Sequence, residues 1–415
     1  MTKKKEILAS IDVGTTKICS TVARTNGEEM DILGTGWAPS RGLKKGVVVN
    51  LSETIESVKA SVEEAEKSSQ SPLEAAHIGV GGAHLRGINC HGQTEVRNKN
   101  RKVTGKDIRR AVNVARSRKI PKDHQIIHLL TQSFEVDGQY GVVNPMGMSA
   151  RHLSVHVHLV LNASSVVQNI ISAINQAGVL VKGVVMQQLA SAEAVLSPDE
   201  KELGAVLIDI GGGTIDIAIY AQGSVCYSKV IALGGNLITK DIAIGLKIPL
   251  QEAEQLKRTT ANVFPESVLG DELIEVSQVG TGLRRTISRR LLCQIVRARC
   301  DEILGILKET IHKAGVQSDF VTGAVLTGGG SMLDGMVDLT EQNLHMPIRV
   351  GYPINVLPSN HAAFHPAYST AVGLLKYSQG ILSSDLLSHS DSEQKSDRRG
   401  DTGERLKNWF LKKIG

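Results

Sequence analysis

The chain has 415 residues, 41% hydrophobic and 21% charged, with a formal net charge of +5 at pH 7. That length allows two domains with sizeable cores, and so modest a charge does not by itself point to nucleic acid as a partner. The five cysteines (Cys19, Cys90, Cys226, Cys293 and Cys300) form no CxxC pair, which argues against both a zinc site and a disulfide frame. Met1 to Ile11 contain three lysines but too short an apolar run for a signal peptide. No run of about 18 apolar residues occurs, so no membrane span is expected and a cytosolic location is.

The first distinctive block is Ile11-Asp12-Val13-Gly14-Thr15-Thr16, followed by Lys17 and an apolar run from Ile18 to Ala23. Its pattern predicts a strand, a tight glycine turn and a second strand. Glycines let successive backbone N–H groups converge on one small space, as needed to grip phosphate oxygens, and threonine hydroxyls add donors. An aspartate at the strand end, here Asp12, suits a hydrated Mg²⁺ bridging those phosphates. Ser52 is expected to cap a helix reaching about Ser68, with Ile55, Val58, Val62 and Ala65 on its buried face. His77 to Gly81 reads as a strand entering a glycine turn.

Residues His84 to Asn162 carry a separate pattern. A strand over Ile88 to Val96, a helix over Thr104 to Lys119, and strands near Ile126 to Val136 and Leu153 to Leu161 predict a small inserted α/β subdomain. Between Arg97 and Lys119 there are ten Lys or Arg and one acid, Asp107. That basic stretch suits either a solvated helix face or a surface for an acidic partner or anionic lipid. The absence of interleaved aromatic residues argues against DNA. His152, His156 and His158 fall on one face of a strand and Leu153, Val155, Val157 and Leu159 on the other, the alternation of a half-buried strand. No acidic or Cys ligand lies nearby in sequence to favour a metal.

Ser164 to Ala177 is expected to be helical and to end at Gly178, with a further helix opening at Gln187-Gln188-Leu189-Ala190-Ser191-Ala192. A near copy of the first block then appears, Ile208-Asp209-Ile210-Gly211-Gly212-Gly213-Thr214, followed by the apolar run Ile215 to Tyr220. Two such hairpins, each with Asp two residues before the first Gly, imply a duplicated domain closing on one ligand from both sides. Glu252 to Thr259 and Arg284 to His312 read as helices, the latter long enough to allow a break near Gly305, and Cys293 and Cys300 share its buried face. Ala324-Val325-Leu326-Thr327-Gly328-Gly329-Gly330-Ser331 predicts a buried strand, a third glycine turn and a helix start at Met332 and Leu333. Alternation of this kind predicts α/β layers.

From Ser378 to Thr402 the sequence turns polar and reads as a disordered linker. In the final stretch Gly403 to Gly415, Leu406, Trp409, Phe410 and Ile414 form one helical stripe, with Lys413 inside it able to snorkel. Arg405, Asn408 and Lys412 lie opposite. Trp and Phe flanked by cations suit an interfacial membrane helix.

The three glycine turns, in this order, resemble the phosphate-1, phosphate-2 and adenosine motifs of the actin, Hsp70 and sugar-kinase ATPase superfamily. Gln187 to Ala192 and Ala367 to Tyr377 resemble its two connecting helices. Together with the insert and the tethered amphipathic tip, they resemble the FtsA family of bacterial cell-division actin homologues, over Lys5 to Tyr377 and Gly403 to Gly415. Supporting stretches are Ser40 to Gly46, Asn144 to Met148 and Gly235 to Ile242.

The resemblance implies duplicated RNase H-like domains: subdomain 1A from residues 1–83 and 163–194, the inserted 1C from 84–162, 2A from 195–230 and 310–377, and 2B from 231–309. A linker over 378–402 and a membrane-targeting helix over 403–415 would follow. It implies an ATP- and Mg²⁺-binding protein, peripheral on the cytoplasmic face of the membrane at the division septum. Such a protein polymerises there, anchors the tubulin-like FtsZ, and touches itself and later division proteins through the insert.

By motif, Gly14, Thr15, Thr16 and Lys17 would hold one side of the phosphates and Gly211, Gly212, Gly213 and Thr214 the other. Asp12 and Asp209 would organise Mg²⁺, and Gly235 and Asn236 would approach the nucleotide. Glu254 and Lys257 would contact the nucleoside, and Gly328, Gly329, Gly330 and Ser331 would back the adenosine. Where relatives place a water-positioning Glu or Gln, this chain offers Gln187, which cannot act as a base, so at most slow hydrolysis is expected. Leu406, Trp409, Phe410, Lys413 and Ile414 would enter the lipid. A sugar kinase would need a catalytic Asp in a sugar cleft, and none is apparent. An Hsp70-type chaperone would need a peptide-binding domain after residue 380. A type IV pilus assembly protein shares the fold, but the amphipathic tip favours division.

Overall fold

The computed structural model describes residues 6–390 apart from 27–28, 118–119, 271, 281, 316–320 and 359–360. The first half opens with strands β1 (Glu6–Val13), β2 (Lys17–Thr25) and β3 (Met30–Pro39). A short hairpin of β4 (Leu43–Lys44) and β5 (Val47–Val48), helix α1 (Leu51–Ser69) and β6 (Ala75–Val80) follow. Asn50, not Ser52, caps α1: its side-chain oxygen accepts from the Glu53 amide at 3.3 Å. The helix therefore turns its small polar residues Thr54, Ser57 and Ser61 inward with Val58, Val62 and Ala65, and leaves Ile55 only half-buried.

The insert comprises β7 (Arg86–Glu95), α2 (Gly105–Arg116), β8 (His124–Val136), β9 (Gln139–Val142) and β10 (His152–Ala163). Its four strands order as β7-β10-β8-β9. Leu153, Val155, Val157 and Leu159 of β10 are wholly buried, in one cluster with Ile108, Ala111 and Ala115 of α2. On the opposite face His158 is buried between Asn89 Oδ1 (2.6 Å) and Ser228 Oγ (2.8 Å), a packing role rather than a metal one. α2 is shorter than the basic stretch suggested and ends at Arg116.

Helix α3 (Ser164–Gln176), β11 (Leu180–Met186) and α4 (Gln187–Val195) complete the first half. Its sheet runs β11-β6-β1-β2-β3, with the short strand Leu357–Pro358 from late in the chain added parallel to β3. The second half contains α5 (Pro198–Leu203), β12 (Ala205–Ile210), β13 (Ile215–Ala221), β14 (Ser224–Ile231), α6 (Gly235–Leu246) and α7 (Leu250–Thr259). It continues with β15 (Leu273–Ser277), β16 (Arg284–Ser288), α8 (Arg289–Lys313), β17 (Ala324–Thr327), α9 (Met336–Leu344), β18 (Ile348–Val350), β19 (Leu357–Pro358) and α10 (Ser369–Ser390). Its sheet runs β14-β13-β12-β17-β18. The duplication is explicit: β1 pairs antiparallel with β2 and parallel with β6, just as β12 pairs antiparallel with β13 and parallel with β17.

Two expected elements are corrected. Arg284–Ser288 is a strand, not the first turns of a helix, because it closes a hairpin with β15 in which Arg284 pairs with Glu275 at 3.1 Å. The helix then starts at Arg289 and continues unbroken through Gly305, held by Ile303, Leu304 and Leu307 on its buried face beyond Cys293 and Cys300. The polar stretch after Tyr377 does not begin as a linker either: α10 continues to Ser390, and Ser378 is buried with its hydroxyl on the Leu374 carbonyl at 2.7 Å. The third glycine turn leads into a 3₁₀ turn, Gly329–Met332, before α9.

Helices α4 and α10 cross between the two sheets. Val185, Leu189, Ala190, Leu207, Ala218, Val325, Leu374 and Leu375 pack there in one core cluster. At the crossing a Cβ on Gly373 would lie 1.7 Å from the Ala190 carbonyl oxygen, so the backbones touch directly. The insert also reaches the second half: Asn89 Nδ2 donates to the Cys226 carbonyl and Gln132 Nε2 to the Val225 carbonyl, each at 2.9 Å. Residues 391–415, and with them Leu406, Trp409, Phe410, Lys413 and Ile414, lie outside the described residues.

Candidate functional site

Both glycine hairpins close with the same bond, Gly14 N to Lys17 O at 3.1 Å and Gly211 N to Thr214 O at 2.9 Å. The two turns face each other across the gap between the halves. Thr16 Oγ1 lies 3.4 Å from Asn236 Oδ1. A Cβ on Gly212 would lie 1.7 Å from Thr16 Oγ1, and one on Gly213 2.6 Å from Thr15 Cγ2. Only glycine leaves space here, and Thr15 and Thr16 border it. Gly235 and Asn236 start α6 with their amides on the carbonyls of Gly211 (3.0 Å) and Gly212 (2.8 Å), fixing this helix to the second turn.

Beneath the turns lie three buried carboxylates. Asp12, next to last in β1, accepts from Gln187 Nε2 at 2.8 Å. Asp209 accepts from Ser191 Oγ at 2.7 Å and Thr370 Oγ1 at 3.3 Å, one donor from each crossing helix region. Asp216 was not picked out by sequence reasoning. It stands directly opposite Asp209 across the β12–β13 ladder, where the first hairpin has Cys19 opposite Asp12. It accepts from Thr214 Oγ1 at 3.0 Å, while its buried Oδ1 has no hydrogen-bond partner. Its signal in the sequence was a lone acid in an otherwise apolar strand.

Like charges facing one another in a dry site cost energy unless neutralised. Burial pushes the Asp12 carboxyl up to about 6, against the opposing Gln187 hydrogen bond and Lys17 charge. Burial and then Asp209 push Asp216 up to about 8. Burial likewise raises Asp209. Among the described residues no three His, Cys, Asp or Glu side chains are grouped to grip an ion by themselves. A hydrated Mg²⁺ keeps several waters and takes one or two carboxylates plus phosphate oxygens. The oxygen-only donor set and the orphaned Asp216 Oδ1 fit such a hydrated cation.

The remaining expected residues border this centre. Gly328, at φ +81°, approaches so near Asp209 that a Cβ there would lie 2.2 Å from Oδ1, and Ser331 Oγ returns to the Gly328 carbonyl at 2.7 Å. Gly330 is held equally tightly against Ile210, whereas Gly329 is open on one side apart from Ala367. Glu254 and Lys257 pair with each other at 2.6 Å, and Lys257 Nζ also reaches Thr239 Oγ1 (2.9 Å) and the Gly235 carbonyl (3.2 Å). They thus brace α6 against α7 beside the second turn. Lys17 Nζ lies 3.6 Å from the centre of the Tyr368 ring.

A duplicated α/β body, its halves packed through two crossing helices, with paired glycine hairpins over acidic strand ends, defines an actin-like protein. Solved structures share this fold: a PilM-PilN type IV pilus biogenesis complex (TM-score 0.64, 16% identity, 90% of this chain and 98% of that one) and MreB 5 of Spiroplasma citri bound to AMPPNP (TM-score 0.54, 13% identity, 92% and 99%). A family model described as "Cell division protein FtsA" matches residues 206–373, and one described as "SHS2 domain inserted in FTSA" matches 82–161. Cell division protein FtsA of Pseudomonas aeruginosa is 38% identical over 407 residues, 97% of either chain, and that of Escherichia coli K12 is 31% identical over 423 residues, 99% of either. The chain belongs to the FtsA family.

Proposed function

We propose that this chain is a cell-division protein that binds ATP with Mg²⁺ between its two halves, turns it over slowly at most, and polymerises in that state. The observation that carries the nucleotide reading is the pair of facing glycine turns above Asp12, Asp209 and Asp216. Gly14 to Lys17 and Gly211 to Thr214 bind the phosphates from opposite sides. Asp12, Asp209 and Asp216 hold waters of the cation, which when bound neutralises phosphate charge. Gln187, fixed through Asp12, orients water without being able to take its proton. Glu254, Lys257 and Gly328 to Ser331 border the nucleoside.

Among the described residues no helix is long and apolar enough to cross a membrane. Attachment is assigned to the stripe Leu406, Trp409, Phe410, Lys413 and Ile414, which makes the protein peripheral on the cytoplasmic face of the inner membrane at the septum. There it anchors FtsZ, while the insert, residues 84–162, meets neighbouring copies and later division proteins. Weak single tips become firm attachment once polymers align many on one surface.

Co-sedimentation with anionic vesicles and FtsZ, with and without ATP, tests this reading. FtsZ should pellet with vesicles only when this protein is present, and more so with ATP. Rapid sugar-stimulated ATP turnover would instead make the chain a kinase.

A further inference from the structure

Lys17 and Tyr368 are far apart in sequence and meet beside the glycine turns. Lys17 opens β2 in the first glycine hairpin. Tyr368 ends a 3₁₀ turn, Pro366–Tyr368, immediately before α10. The neighbouring Ala367 abuts the third glycine turn, its Cβ 3.8 Å from where a Cβ on Gly329 would stand. The next residues of the same segment reach the acidic centre, since Thr370 donates to Asp209. The Lys17 ammonium rests on the half-buried Tyr368 ring, 3.6 Å from its centre. From there its charge is still felt by Asp12 and Asp209.

A lysine has a flexible four-carbon stem and a point charge, so on its own it samples many positions and is drawn to the nearest carboxylate. Collapse onto Asp12 or Asp209 would cancel the charge that an oligophosphate needs and occupy carboxylates that a hydrated cation needs. The electron-rich face of an aromatic ring holds an ammonium without neutralising it. We propose that Tyr368 is a positioning residue whose ring holds the Lys17 ammonium at the edge of the phosphate space, so that an arriving oligophosphate meets a cation already in place. The contact also joins the first hairpin to the segment entering α10, which Ser10 of β1 ties to the first sheet through the Ala371 carbonyl at 2.8 Å. This inference rests on the nucleotide reading above and adds to it a residue that the three glycine motifs do not contain.

The test is a double-mutant cycle read by equilibrium titration with ATP and, separately, with adenosine. Tyr368→Phe keeps the ring and should bind ATP within about two-fold of the parent. Tyr368→Leu should weaken ATP about five-fold, the size of a partly desolvated cation–π contact, and leave adenosine unchanged. In a Lys17→Met background Tyr368→Leu should cost nothing further, because the partner it positions is gone. Melting without nucleotide checks folding, and Tyr368→Met enters the same cycle if Tyr368→Leu does not fold. The proposal is overturned if Phe weakens ATP as much as Leu does, if adenosine weakens equally, or if the two losses add in full. A parent protein that does not bind ATP overturns the nucleotide reading itself.

Discussion

The side-chain amide of Gln187 donates a 2.8 Å hydrogen bond to Asp12 Oδ1, tying the first residue of α4 to the end of β1. The other end of the amide faces Gly81, where a Cβ would lie 1.9 Å from Gln187 Oε1 and 3.7 Å from Asp216 Oδ1. Gln187 is therefore the neutral member of a group whose other members are acids, anchored through its Nε2 and packed closely against the Gly81 backbone at its Oε1.

Replacing it should separate binding from turnover. Gln187→Ala is expected to keep ATP affinity within about three-fold, since the glycine turns are untouched, and to lower any hydrolysis about ten-fold or more by releasing the water it orients. Titration with a fluorescent ATP analogue and a phosphate-release assay measure the two separately. An unchanged release rate would remove Gln187 from the chemistry.

Gly212→Asp should abolish ATP binding, a loss of about 100-fold or more, because it adds bulk 1.7 Å from Thr16 Oγ1 and a like charge beside the phosphates. Unchanged affinity in the same titration would mean that phosphates do not lie between these turns.

The raised carboxyls give stability a pH dependence of definite sign. Folding keeps on Asp12 and Asp216 protons that the unfolded chain releases above about 4, so their contribution is lost as pH rises through 6 and then 8. His77, His128 and His158, pressed down to about 4 by burial, act in the opposite sense, their cost growing as pH falls below 6.5. The informative quantity is thus a difference between variants. Without nucleotide, Asp216→Asn should gain about 2–4 °C in melting temperature over the parent on going from about pH 5 to pH 8.5. Parallel pH curves for the two would show that Asp216 is ionised throughout.

Trp409→Glu places a charge within the apolar stripe of the tip. Burying Leu406, Trp409, Phe410 and Ile414 yields about 1.5–3 kcal/mol each, and Arg405, Lys407, Lys412 and Lys413 add about 1 kcal/mol each beside an anionic surface. Ordering a dozen residues costs about 1–2 kcal/mol apiece, so a single tip has no margin to lose. Flotation with vesicles should disappear while ATP binding stays as it was. Flotation that survives both this change and removal of residues 403–415 would move the membrane contact to the basic stretch Arg97 to Lys119.

The glycine hairpins were legible in sequence because each is local: apolar run, aspartate, glycines and apolar run within a dozen residues. Asp216 was passed over as one residue of a strand, since its meaning depends on facing Asp209 across the ladder. The contact of Lys17 with Tyr368 joins distant segments and has no local pattern. Arg284–Ser288 resembled a helix because the helical period of α8 can be extended backwards into it, and only its pairing with β15 decides otherwise. Composition likewise marked residues after Tyr377 as linker, although Leu374 and Leu375 already commit the preceding turns of α10 to the core.

Strand β14 ends the five-stranded sheet of the second half, and such a border ordinarily presents free carbonyls to which any extended chain can add. Here the Val225 and Cys226 carbonyls already accept from Gln132 and Asn89 of the insert. The insert thus shields the rim of a sheet to which it does not belong. Edge-to-edge addition of an extended chain at these two carbonyls is thereby blocked, so any association between copies has to use other surfaces.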